Sequence, residues 1–328
     1  MLKSGISQIG GNFRTRKPLL NNTLYHEYFL SLFMGSGIYE LNKPKANHYE
    51  CLNELNPEFV NYFIVIKKYF KEFEERRKKG PYTIVSRYLY ELLNAGVLTP
   101  DDMIEQAIQF FYKIKLSYAS QLNFRGLVPE TTSKKQYIDS AKRSFRGFVG
   151  KRSVQTEGNF KSNLGKTTRP ISNNDCGILT ELNPDLPKRI RYVIFECLDF
   201  RVVYRRFYKA YHTKKGLTKE VLVYADPPFP GTEQYYGNLF KPEDHYDLID
   251  IMIDSPFNFM LSIGKDCGFY LDALGDAGWL IKEISVRYST DANTQKPSKE
   301  YICSNYDIKN FPKMIMDNQP PLTKYMEA

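Results

Sequence analysis

Asp226-Pro227-Pro228-Phe229 closes a short apolar run, residues 220–225 (EVLVYA), that reads as a β-strand. Two prolines cannot continue a central strand, and neither carries an N–H. Asp226 and the carbonyl of Pro227 are therefore offered as acceptors from a stiffened loop, and the Phe229 ring follows. Acceptors beside a stacking face suit the exocyclic amine of a flat heterocycle. A plainer arrangement is equally open, a turn in which Asp226 caps the loop and Phe229 belongs to the core.

A second group, Phe33-Met34-Gly35-Ser36-Gly37, ends another apolar run at 28–34 (YFLSLFM). A glycine-rich turn after a strand lets the backbone approach a ligand closely and offers its N–H groups. Glu54 lies 17 residues beyond Gly37, after a second strand at 49–52. A carboxylate there can accept bonds from ribose hydroxyls. It can as well cap a helix that opens at Pro57.

These groups need a scaffold, and the periodicity supplies one. From Pro57 the residues Phe59, Val60, Phe63, Ile66, Phe70 and Phe73 keep a helical spacing until Gly80-Pro81 stops it. Helices are also expected at 86–94, 101–118 and 243–254, a strand at 257–263, and a closing antiparallel pair at 283–288 and 301–304. After Ser133 the chain turns basic and glycine-punctuated, which suggests tight turns or a hairpin. Strands alternating with helices on both sides of an insertion predict one α/β sheet domain interrupted by a second unit.

The chain has 328 residues, 42% hydrophobic and 25% charged, a composition that excludes disordered, collagen-like and coiled-coil classes. Its net charge of +9 is concentrated: residues 65–189 hold 23 basic and 13 acidic side chains, and the remainder is close to neutral. Such a concentrated excess is the footprint of a polyanion partner, or else a solvated surface. Five scattered cysteines without a CxxC pair speak against a disulfide framework or a zinc site. The first residues lack the apolar core of a signal peptide, and the stretch 59–66 is too short to span a membrane. A soluble intracellular protein is the expectation.

In this order, strand–FxGxG, NELN, a basic insertion and DPPF, the chain resembles the Dam-type (D12 class) DNA N6-adenine methyltransferases. Gln8-Ile9-Gly10-Gly11-Asn12 looks like the family's GGK segment of the S-adenosylmethionine pocket, with Asn12 in the place of the lysine. Leu198-Asp199-Phe200 resembles the acidic turn that holds the cofactor adenine. Tyr236, Phe240 and His245 fall where the family repeats Y, F and H, and Ser304-Asn305-Tyr306-Asp307 looks like its closing strand. Glu54 replaces the usual Asp, and DPPY is DPPF, which removes a hydroxyl and keeps the stacking face. Asp at the first position favours adenine N6 over cytosine N4.

The resemblance implies a Rossmann-like S-adenosylmethionine-dependent sheet with an inserted, mostly helical target-recognition domain carrying a basic hairpin. Its parts would be residues 1–64 and 190–328 for catalysis and 65–189 for recognition. Asp226, Pro227, Pro228 and Phe229 would be catalytic. Gln8, Gly10, Gly11, Asn12, Phe33, Gly35, Gly37, Glu54, Asp199 and Asp226 would bind S-adenosylmethionine, with no metal and no covalent intermediate. Lys134, Lys135, Lys142, Arg143, Arg146, Lys151, Arg152, Lys161, Lys166 and Arg169 would contact double-stranded DNA, most of them at phosphates. Residues 152–165 look like the recognition hairpin but depart from the family's NVPY, so no particular target sequence is implied. The class further implies a cytoplasmic, bacterial, phage or plasmid-type setting, a monomer or weak dimer, and room for a cognate restriction endonuclease in a restriction-modification pair. The alternative, which Asn12 leaves open, is a catalytically inactive relative kept as a DNA-binding protein.

Overall fold

The computed structural model describes residues 1–6, 15–84, 86–116, 178–213, 217–236, 239–264, 266–286 and 298–307. Seven strands form one sheet: β1 (Tyr28–Ser31), β2 (Tyr49–Asn53), β3 (Ile194–Glu196), β4 (Val221–Ala225), β5 (Asn258–Ile263), β6 (Leu280–Val286) and β7 (Ser298–Ser304). Their order is β3-β2-β1-β4-β5-β7-β6, parallel throughout except for β7. The expected closing antiparallel pair is β6 and β7, with β7 inserted between β5 and β6.

The central strands are apolar on both faces because both faces are covered. Phe29, Leu222, Tyr224, Met260 and Ile302 enter one hydrophobic cluster. Their neighbours Leu30, Val223, Phe259, Leu261 and Cys303 enter the other. The first is covered by α2 (Pro57–Arg77) and α4 (Met103–Leu116), with α3 (Arg87–Asn94) beside them. The second is covered by α6 (Phe200–Tyr211), α7 (Asp244–Ile253) and α8 (Gly268–Asp276). Two short helices, α1 (Arg16–Asn21) and α5 (Leu186–Arg189), complete the described set.

The helix starts follow from capping. Asn56 caps α2, its side chain accepting the Glu58 amide at 2.9 Å, and Ser86 caps α3 by accepting the Leu89 amide at 3.1 Å. The boundary expected at 64/65 falls inside α2, which bends only at Tyr69. Helices α3 and α4, expected in the separate unit, share the cluster that covers the sheet. The expected basic hairpin lies outside the described residues. None of the described helices is long and apolar enough to cross a membrane.

The order places β1 between β2 and β4, so the chain leaves β1 in one direction and later returns on its other side. In open α/β sheets, ligands bind beyond the carboxyl ends of the strands at that switch point. The GSG turn after β1 and the DPPF loop after β4 stand there.

Candidate active site

Beyond Ser31 the chain stays tied to both neighbours, through Leu32 N–H to the Tyr224 carbonyl (2.9 Å) and Met34 N–H to the Asn53 carbonyl (2.8 Å). It then turns sharply, with Gly37 N–H donating back to the Met34 carbonyl at 2.9 Å. Gly35 (φ 54°) and Gly37 (φ 70°) both hold left-handed backbone, which is why glycine stands at each. The Gly35 amide donates to Glu54 Oε2 at 2.8 Å, and the Asn56 amide donates to Oε1 at 3.0 Å. Burial raises the Glu54 pKa while these N–H groups oppose it. Glu54 lines the cleft, and the work of capping α2 goes to Asn56.

Asn53 clamps three strand ends together. Its Nδ2 donates to the carbonyls of Leu32 (3.0 Å) and Leu198 (2.9 Å), and its Oδ1 accepts the Leu198 amide at 3.1 Å. The residue is buried. Leu198 and Phe200 then line the cleft on the β3 side. Phe33, Phe200 and Phe240 meet edge to face or tilted, with centroids 5.4–5.8 Å apart, as an apolar wall for a flat ring.

On the β4 side, Asp226, Pro227, Pro228 and Phe229 line the same cleft. The chain turns at once through Phe229-Pro230-Gly231-Thr232, where both the amide (2.9 Å) and the hydroxyl (2.7 Å) of Thr232 donate to the Phe229 carbonyl. Gly231, with φ 80°, supplies the left-handed third position of this turn, and Pro230 pre-sets the second. Glu233 Oε1 accepts the Gly231 amide at 3.0 Å and lies 3.0 Å from His245 Nε2. His245 Nδ1 lies 2.9 Å from the Tyr270 hydroxyl. Burial lowers the His245 pKa while the Glu233 carboxylate opposes it, and a ring that donates to Glu233 from Nε2 is left to accept the Tyr270 hydroxyl at Nδ1. A 3-10 turn, Glu233–Tyr236, brings Tyr236 over the cleft. Burial first, then the charges of Asp226 and Glu54, push its phenol pKa up, as expected of a hydroxyl near both carboxylates.

The floor carries a carboxyl that the sequence did not single out. Glu40 Oε1 accepts the Ser31 hydroxyl at 2.7 Å, and burial pushes its pKa up to about 7. Beneath it the buried Glu50 binds Lys43 and Arg189, each at 2.6 Å. The whole cleft has roughly 890 Å³ of empty volume, counting the part open to solvent.

Phe33, Gly35, Glu54, Asp226, Pro227, Pro228 and Phe229 are thus brought to one place. Gly37 stands behind the lining. Asp199 does other work: its Oδ1 accepts the Arg201 amide (2.9 Å) as the cap of α6, and its Oδ2 accepts the Arg201 guanidinium (2.7 Å). Gln8, Gly10, Gly11 and Asn12 lie outside the described residues, as do the basic residues from Lys134 to Arg169. The sequence does not single out Glu40 or the clamp made by Asn53, and it places His245 only by the family's repeat, not by its link between Glu233 and Tyr270. Phe229 satisfies both sequence readings, since it packs on the apolar cluster and still faces the cleft.

No curated protein matches the chain. A family model described as D12 class N6 adenine-specific DNA methyltransferase matches residues 16–283, which contain every cleft-lining residue and begin after Asn12.

Proposed function

We propose, from the premise that the chain belongs to the D12 class N6 adenine-specific DNA methyltransferase family, that its cleft takes S-adenosylmethionine on the β1–β2 side and a flipped adenine on the β4 side. One observation carries the reading: the glycine turn after β1 and the Asp-Pro-Pro-Phe loop after β4, far apart in the chain, open into one cleft.

The residues present fit the donor. Glu54 is positioned by two backbone N–H groups and can accept from ribose hydroxyls. The three phenylalanines offer an apolar seat for the adenine ring. When bound, S-adenosylmethionine supplies a sulfonium methyl group that leaves its bonding electron pair on sulfur.

The chain's own residues prepare the acceptor. Asp226 and the Pro227 carbonyl take the two N6 hydrogens of the adenine, which frees the nitrogen lone pair from the ring and points it at the methyl carbon. That lone pair forms the new N–C bond, and one N6 proton then leaves to solvent. The two prolines keep both acceptors fixed before the reaction, so the developing positive charge on nitrogen meets oriented oxygens without reorganisation. Phe229 stacks on the extruded base and offsets part of the few kcal/mol lost on leaving the helix. Residues 134–169, with ten basic and two acidic side chains, supply the phosphate contacts.

Asp226→Ala tests the assignment. Labelled-methyl transfer to duplex DNA is expected to fall at least about a thousandfold, by analogy with the loss of a preorganised partner of developing charge. DNA affinity measured by gel shift should stay within about threefold, because phosphate contacts dominate it. Retained transfer would sink the role given to Asp226.

A further inference from the structure

We propose that Gly264 is a positioning residue for the target base, because its bare Cα is the seat of the Phe229 ring. Gly264 follows directly on β5, and Phe229 lies in the loop that leaves β4, the adjacent parallel strand. A Cβ at Gly264 would stand 2.2 Å from Cδ2, 2.3 Å from Cε2 and 2.9 Å from Cγ of Phe229. Carbon atoms prefer separations of about 3.5–4.0 Å, so the ring would have to move by about an ångström or more. Gly264 does not hold left-handed backbone, unlike Gly35 and Gly37. Space for the ring, and not backbone freedom, is the reason for glycine.

The ring has little freedom to retreat. Its backbone is held in the Phe229–Thr232 turn, and Glu233, His245 and Tyr270 tie that turn to α7 and α8. The ring also packs against the second hydrophobic cluster. Any displacement caused by a side chain at 264 is therefore directed into the cleft, toward the place of the base. Gly264 sets the depth at which the ring stacks, and through it the height of N6 over Asp226 and Pro227. This inference rests on the methyl-transfer reading.

The test is a double-mutant cycle on the full chain with Gly264→Ala, Phe229→Ala and both, using unmethylated plasmid DNA and labelled S-adenosylmethionine. Gly264→Ala alone is expected to lower kcat about a hundredfold, the scale of an ångström misplacement, with unchanged affinity for S-adenosylmethionine. In the Phe229→Ala background the same change should cost less than about twofold, since the clashing ring is gone. Equal losses in both backgrounds, or no loss in either, would overturn the proposal. Thermal unfolding follows the same cycle: Gly264→Ala should lower Tm only when Phe229 is present. A double variant that melts as far below Phe229→Ala as Gly264→Ala melts below the unmodified chain would overturn it too. If the unmodified chain transferred no methyl group, the function reading would fail on that result, and the Tm coupling would still judge whether Gly264 seats the ring.

Discussion

Asn53→Ala removes a side chain that touches three backbone groups and tests whether the cleft is held open from behind. The lost contacts are two donations from Nδ2, to Leu32 and Leu198, and one acceptance at Oδ1 from the Leu198 amide. A net hydrogen bond is worth about 1 kcal/mol, and a buried group left unpaired costs about 1–3 kcal/mol. Asn53 is only 1% exposed, but the cleft beside it can admit water to the freed groups, which favours the lower end. Three contacts at about 1 kcal/mol each give a destabilisation of about 3 kcal/mol. Because the same contacts fix the ends of β1 and β3 around the donor site, S-adenosylmethionine affinity should weaken about tenfold, or about 1.4 kcal/mol. Urea unfolding followed by the fluorescence of the single tryptophan, Trp279, measures the first quantity. Calorimetric titration with S-adenosylmethionine measures the second. Unchanged urea midpoint and unchanged affinity would refute the clamp.

Two further outcomes follow from the same geometry. Glu40 keeps its proton in the folded chain up to about pH 7 and releases it near 4.5 when unfolded, so its contribution is fully present below pH 4.5 and lost as pH rises through 7. Relative to Glu40→Gln, the unmodified chain should therefore lose about 3 kcal/mol of stability between pH 4.5 and 8; urea midpoints of the two proteins that move in parallel over this range would contradict it. Gly35→Ala places a Cβ on left-handed backbone at a strain of about 1–2 kcal/mol and disturbs the amide that holds Glu54. Donor affinity by calorimetry should fall about tenfold with duplex affinity unchanged, and equal donor affinity would count against the glycine turn as the cofactor seat.

Much of the sheet is legible in the sequence because the central strands are buried on both faces and read as unbroken apolar runs. Strands β1, β2, β4 and β5 fall within a few residues of the expected spans. Strand β3 is three residues long and partly exposed, too short to carry a period. Helices α6 and α8 lie outside the expected elements: α6 does carry a regular stripe, Phe200, Val203, Tyr204 and Phe207, with its arginines on the other side, whereas small residues and glycines blur α8. The two motifs of the site are legible because proline and glycine act through backbone chemistry that any context preserves. The clamp that Asn53 makes is not, since its partner Leu198 lies 145 residues away, although the residue itself opens the NELN run. Glu40 hides for a different reason: carboxylates are ordinarily exposed, and only the fold reveals one under the cleft. Gly264 reads as a plain turn residue until the Phe229 ring is found against it. Asp199 shows the converse, an acidic residue of suggestive position whose carboxylate is engaged by a helix start and an arginine.

The central claim is that this cleft moves a methyl group to N6 of adenine in DNA. Its most direct test is to incubate the full chain with unmethylated duplex DNA and deuterated-methyl S-adenosylmethionine, digest the DNA to nucleosides, and identify the labelled product by mass spectrometry. Labelled N6-methyldeoxyadenosine with the unmodified chain, and none with Asp226→Ala, is the predicted result. Label in N4-methyldeoxycytidine instead, or in no nucleoside while S-adenosylmethionine and DNA both bind, would contradict it.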